Sequence, residues 1–123
     1  MNNKQLGTAW EKEVCEILHK QGYWVHFITP DSRGAQPFDI IAVKDGKAKA
    51  IDCKTSVKAI FSISRLEDNQ IYAFEKWISC GNDMPEVWVK YKNKCYVLSY
   101  NDLKKYCKVN LNDVDNSCKV GNK

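Results

Sequence analysis

The chain has 123 residues, of which 44% are hydrophobic and 28% charged, and its 19 basic and 15 acidic side chains give a formal net charge of +4. This excludes a disordered, collagen-like or low-complexity chain, and the length accommodates one core. No apolar run approaches the ~20 residues that span a bilayer, and the opening MNNKQLGTAWEKE lacks the apolar stretch of a secretory leader. A cytoplasmic protein with no membrane association is expected.

Residues 8–21 read as a helix, because Trp10, Val14, Ile17 and Leu18 share one apolar face. Thr8 can cap it and Gly22 can end it. Residues 23–28 are aromatic and β-branched, which predicts a strand, and 29–36 read as a loop. Residues 38–44 and 47–54 read as two strands joined by Asp45 and Gly46, a strong two-residue hairpin signal. A second helix fits 65–79, capped by Ser64, with Leu66, Gln70, Ile71, Phe74, Trp77 and Ile78 on one face. Residues 86–92 and 95–100 form a further hairpin around Asn93 and Lys94, and Asn101 can cap a short helix over 102–107. The order is α-β-β-β-α-β-β-α, which predicts an α/β fold with a mixed central sheet flanked by helices. Residues 1–107 are expected to form a single domain, and the polar, Asn-rich stretch 108–123 reads as a loosely held tail.

Six cysteines stand at 15, 53, 80, 95, 107 and 118, with no CxxC and no metal-site spacing. Reduced thiols are expected, and a thiol-based function has only this count behind it. His19 and His26 are the only histidines, which leaves little room for histidine-dependent chemistry. Arg33 and Arg65 are the only arginines, so any contact with nucleic acid would rest on phosphates more than on base edges.

The first hairpin places carboxylates together. If Lys44 pairs with Lys47, Asp39 falls opposite Asp52 on one face, with Cβ atoms ~4.5–5.5 Å apart. Lys54 shares that face. Opposed like charges within apolar strands need compensation. A divalent cation bridging both carboxylates supplies it, and oxygen ligands suit Mg²⁺. Alternatively, both acids lie solvated at strand ends and pair with Lys54 or Lys49. Glu11 also has two readings. It is a third acid ligand, or it completes a T-x-x-E capping box with Thr8.

Asp39 followed by Asp52, Cys53 and Lys54 resembles the PD-(D/E)XK nuclease signature. With Gly7 and Glu11 upstream, and the stretch PFDIIAVKDGKAKAIDCKTS, residues 5–100 resemble archaeal-type Holliday junction resolvases, which also occur in phages and prophages. The resemblance implies a restriction-endonuclease-like fold. It implies Mg²⁺, with Mn²⁺ as a substitute, held by Glu11, Asp39, Asp52 and the Cys53 carbonyl. Lys54 would orient or activate the hydrolytic water, and Ser32 and Gln70 would complete the catalytic set. The implied activity is a metal-dependent endonuclease that resolves four-way DNA junctions by paired symmetric nicks, leaving 5′-phosphates and 3′-hydroxyls. Two nicks imply a homodimer, for which Trp77, Ile78 and Trp88 are candidates either as interface or as core. Lys4, Lys12, Arg33, Lys58 and Arg65 flank the site in sequence and are candidate phosphate contacts. Without Glu11, Asp39 and Asp52, the remaining 12 acids face 19 bases, a balance of +7. The family otherwise has Pro where Phe38 stands and usually Glu where Asp52 stands, and the Asp side chain reaches about 1.5 Å less. The alternatives are another nuclease of the superfamily, of repair, restriction or flap type, or a non-catalytic DNA-binding protein on the same scaffold.

Overall fold

Asp45 and Gly46 both have positive φ, 54° and 76°, as a two-residue hairpin turn requires. The computed structural model of the chain describes residues 2–29 and 36–114. In order these form α1 (Asn3–Lys20), β1 (Trp24–Phe27), β2 (Ile40–Lys44), β3 (Lys47–Thr55) and β4 (Ile60–Ser62). A 3₁₀ turn (Ile63–Arg65) leads to α2 (Asp68–Ser79), β5 (Glu86–Tyr91), β6 (Lys94–Ser99), α3 (Tyr100–Tyr106), β7 (Lys108–Asn110) and a second 3₁₀ turn (Leu111–Asp113).

The main sheet has the order β1-β2-β3-β5-β6, and β4 pairs with β7 in a small second sheet. Among the described strands only β3 and β5 pair in parallel, and α2 lies in the crossover between them. Alternation along β3 divides the core. Ile51 packs with Trp10, Val14 and Leu18 of α1 on one face. Ala50 packs with Phe74 of α2 and Leu103 of α3 on the other. Trp88 is buried on the α1 side, and Trp77 and Ile78 pack half-buried against the α2 side. This is the expected mixed sheet flanked by helices. No helix among the described residues is long and apolar enough to cross a membrane.

Several boundaries differ from expectation. Asn2, not Thr8, caps α1: its side chain accepts the Gln5 N–H at 2.8 Å, and the Gln5 side chain accepts the Asn2 N–H at 2.9 Å. Thr8 lies inside the helix, where its hydroxyl donates to the Lys4 carbonyl at 3.0 Å. The proposed capping box of Thr8 and Glu11 therefore does not exist, and Glu11 is free for other work. The second helix starts at Asp68, after Glu67, rather than at 65 behind Ser64. Arg65 instead ends a 3₁₀ turn that follows β4, and both pieces are too short to leave a periodic signal. The second hairpin turns on Lys92 and Asn93, both with positive φ, so Lys94 already belongs to β6. Ser99 rather than Asn101 caps α3.

The stretch from Lys108 is not a loose tail at its start. β7 pairs with β4, and Leu111 is fully buried against the main cluster. Cys15, Cys53, Cys80 and Cys107 are free thiols. Cys95 is disulfide-bonded, which corrects the expectation of reduced thiols at that residue, because spacing alone carries no pairing signal here.

Leu111→Ala should destabilise the protein by about 3 kcal/mol, as for other fully buried leucines. Urea unfolding would measure this, and a change below ~0.5 kcal/mol would return the segment to the status of a tail.

Candidate active site

The printed pairing of β2 with β3 ends at Ile40 with Ile51, while β3 runs on to Thr55. In the hairpin ladder Lys47, Lys49 and Ile51 turn their backbones toward β2, and Cys53 is next in that series. Its N–H donates to Asp39 Oδ2 at 2.8 Å, so a carboxylate takes the place of a strand. The Asp39 N–H donates to the Ile51 carbonyl at 3.1 Å, although Ile51 is already the partner of Ile40. Two residues of β2 thus face one of β3, the pattern of a β-bulge. The expected register holds from Ile40 with Ile51 to Lys44 with Lys47. It does not extend to a regular Asp39–Asp52 pair, because the bulge shifts Asp39.

Asp52 is fully buried on the α2 side. Its Oδ1 accepts from Gln70 Nε2 at 2.8 Å. Its Oδ2 stands 3.0 Å from Lys54 Nζ, ion-pair distance, yet this buried oxygen receives no well-directed hydrogen bond. Gln70 Oε1 accepts from Lys54 Nζ at 3.2 Å and from the Glu67 N–H at 3.0 Å. One amide therefore ties Asp52, Lys54 and the start of α2 together.

Glu11 approaches from the other face. Buried Trp10, whose Nε1–H donates to the Trp88 carbonyl at 3.0 Å, fixes the rotation of α1 beside it. Burial first, and then the neighbouring Asp39 charge, push the Glu11 carboxyl up to about 7. Burial and the Asp39 charge also raise Asp52 well above the usual carboxylate range, with Lys54 opposing. The Cys53 thiol is raised by burial and by Asp39, Asp52 and Glu11, so it stays protonated and offers no thiolate. Beside Glu11 opens a cleft of about 350 Å³ lined by Thr8, Glu11, Lys12, Cys15, Glu16 and Phe27.

The structure thus brings Glu11, Asp39, Asp52, Cys53, Lys54 and Gln70 together. Of the solvated alternative for Asp39 and Asp52, the pairing of Asp52 with Lys54 at 3.0 Å holds, but the solvation does not, since both acids are buried, and Lys49 pairs with Glu86 at 3.2 Å. The acids form a row rather than a closed cage: among the described residues no three His, Cys, Asp or Glu side chains converge as a preformed metal site. Ser32 and Arg33 lie outside the described residues. Lys4, Lys12, Lys58 and Arg65 are exposed. Arg65 is partly committed, since its Nη2 donates to the Thr55 carbonyl at 2.8 Å and its guanidinium lies over Phe61. Sequence reasoning missed Gln36 and Asn69. Gln36 Nε2 approaches Asp39 Oδ1 at 3.4 Å, and its carbonyl accepts from Asn69 Nδ2 at 2.7 Å. Only their adjacency to Asp39 and Gln70 in sequence hinted at this.

The family model described as archaeal Holliday junction resolvase matches residues 2–120. The chain belongs to this family. A crossover junction endodeoxyribonuclease of Sulfolobus islandicus rod-shaped virus 1 is 28% identical over 101 residues, covering 81% of this chain and 84% of the relative. Crossover junction endodeoxyribonuclease Hjc of Methanocaldococcus jannaschii is 30% identical over 70 residues, covering 57% and 50%. The solved structure of Archaeoglobus fulgidus Hjc, a Holliday junction resolvase, shares the fold with a TM-score of 0.60 at 18% identity, covering 76% of this chain and 71% of that one.

The raised Glu11 carboxyl fixes a sign. The folded state holds the proton that the unfolded state releases near pH 4.5, so without divalent cations stability falls as pH rises from 4.5 to about 7 and levels off above. Asp39→Asn should flatten that fall and stabilise the cation-free protein at pH 8 by about 1 kcal/mol. Thermal melts across pH in EDTA would show it, and an unchanged slope would separate Glu11 from Asp39.

Proposed function

We propose that the chain is a divalent-metal-dependent endonuclease that resolves four-way DNA junctions by paired symmetric nicks. The observation that carries this reading is the row Glu11–Asp39–Asp52 with Lys54 held beside it. The family membership and the names of the two relatives support it.

The residues fit a hard cation. Asp52 Oδ2 is buried with the Lys54 ammonium 3.0 Å away but no well-directed hydrogen bond, and Glu11 and Asp52 resist ionisation, chiefly through burial. Mg²⁺ commonly takes one or two carboxylates plus waters and a substrate phosphate, so a row suffices where a cage would be superfluous. Asp39, Asp52 and the Cys53 carbonyl would hold it, with Glu11 beside them, and Mn²⁺ would substitute. Bound there, the cation lowers the pKa of water and offsets charge gathering on the phosphate.

The chain's own groups do the rest. Lys54, steadied by Asp52 and Gln70, holds the attacking water in line with the scissile bond. The water oxygen bonds to phosphorus as it releases a proton to solvent, the bond to O3′ breaks, and the departing oxygen takes a proton from solvent. The products are a 5′-phosphate and a 3′-hydroxyl. Gln70 is a positioning residue, and Ser32 is assigned a catalytic part by the resemblance alone. Lys4, Lys12, Arg33, Lys58 and Arg65 would contact phosphates. Each chain carries one site, so two symmetric cuts call for a C2 homodimer. The cytoplasm of a cell, including one infected by a virus or phage, is the setting this reading expects.

The test is cleavage of a labelled four-way junction and a matched linear duplex, in Mg²⁺ or EDTA, with Asp52→Ala alongside. Paired nicks in the junction alone, lost in EDTA and reduced more than about 100-fold in Asp52→Ala, are expected. Duplex cutting would replace the resolvase with another nuclease, and binding without cutting would leave a non-catalytic protein.

Gly7 offers a second test. It lies inside α1, one turn before Glu11, where a Cβ would meet nothing within 4 Å. Gly7→Ala should stabilise the helix by about 0.5–1 kcal/mol. If DNA passes over this face to reach Glu11, the same variant should bind junctions severalfold more weakly. Unchanged binding would move the DNA path away from α1.

A further inference from the structure

β3 and β5 run parallel, with Thr55 beside Lys90. The chain leaving β3 just after Lys54 therefore emerges at the same end of the sheet as the Lys92 and Asn93 turn. The Ser56 N–H donates to the Lys90 carbonyl at 2.9 Å, which ties the two segments. The 56–58 loop is also braced internally. Ser56 Oγ donates to the Lys58 carbonyl at 2.7 Å and accepts the Lys58 N–H at 3.2 Å. Beyond it, the Leu111 N–H donates to the Ala59 carbonyl at 2.8 Å, and Arg65 holds the Thr55 carbonyl from below.

At the tip of this pinned loop Val57 is 95% exposed. A lone exposed apolar residue is ordinary. This one is held in place three residues from Lys54, with exposed Lys58 next to it and exposed Lys92 and Lys94 on the adjoining turn. No acid occurs between Asp52 and Glu67, or between Glu86 and Asp102. Glu13 of α1 reaches this end and pairs with Lys90 at 2.6 Å, while exposed Lys58, Lys92 and Lys94 favour a polyanion. Intact duplex hides its base faces by stacking and offers an apolar tip nothing. A branch point offers a base whose stacking is already disturbed, where insertion of an apolar side chain costs least.

We infer that the 56–58 loop and the Lys92 turn form a lip at which the enzyme senses the branch, Val57 packing against an unstacked base while Lys58 and Lys92 hold the flanking phosphates. This rests on the junction-cutting reading and names its specificity element. Lys54 lies just before the loop in the chain, so seating the lip sets which phosphodiester reaches the carboxylates.

The test measures junction and duplex affinity in EDTA, across a salt series, for the wild type, Val57→Ser and the Lys58→Gln/Lys92→Gln pair. The wild type should prefer the junction. Val57→Ser should cut that preference about 10-fold, with its melting temperature as a check on folding. The double lysine variant should weaken both DNAs and lower the salt slope by about 2, roughly one per lost phosphate contact. A wild type without preference would overturn the junction reading and the lip with it. A wild type with preference that Val57→Ser retains, or a double variant with an unaltered salt slope, would overturn the lip alone.

Discussion

An unpaired strand edge leaves backbone groups that must be satisfied, and at the end of β3 that duty falls to a carboxylate. β2 stops short, the Cys53 N–H points into the gap, and Asp39 fills it at 2.8 Å. The bond has a structural consequence and a chemical one. Structurally, it closes the sheet without another strand. Chemically, it places one acid between the two faces, within reach of Glu11 from α1 and of Asp52, whose side chain lies under α2. Neither helix alone could assemble the row.

Concentrating acids in this way works against the fold. Glu11 and Asp52 both resist ionisation because Asp39 is near and water is scarce. Lys54 offsets part of this for both acids, and Gln70 does so for Asp52. Breaking such a buried set costs more than forming it contributes, which is why Gln70 matters beyond one hydrogen bond. Its amide satisfies Asp52 Oδ1, steadies Lys54 and caps the helix that covers them. Burial first, and then the charge of these acids, keep the Cys53 thiol protonated.

The sheet was legible where local rules act alone. Asp45 and Gly46 announced the turn, the turn set the register, and the register brought Asp39 near Asp52. The apolar stripe of α1 was legible, but its start was not. Asn2 and Gln5 form a capping pair that competes with Thr8 and Glu11, and no periodicity decides between two caps six residues apart. The bulge was illegible for a different reason. Asp39 gives its carbonyl to the Ile28 N–H of the chain leaving β1, so its conformation answers to a neighbour that the hairpin rule ignores. β4 and β7 are three residues each and exist because they pair. Gln36 and Asn69, 33 residues apart, meet only once α2 has docked.

The two departures from the family signature make sense together. Phe38, where Pro is usual, is buried and packs against Phe74 and Trp77 of α2, with ring centroids 5.8 and 5.7 Å away. It anchors to the helix the residue next to the bulge. Asp52, shorter than the usual Glu by about one C–C bond, cannot extend outward and lies wholly beneath the surface. A centre built on it sits deeper in the sheet. α2 must then come in close enough for Gln70 to reach Asp52 at 2.8 Å, and the Phe38 anchor holds α2 against the same strand end. The deeper centre has one consequence for substrate. In the proposed reaction, with Asp52 closed off by Gln70, a phosphate would approach past Lys54 and Glu11, between the 56–58 loop and the N-terminal half of α1.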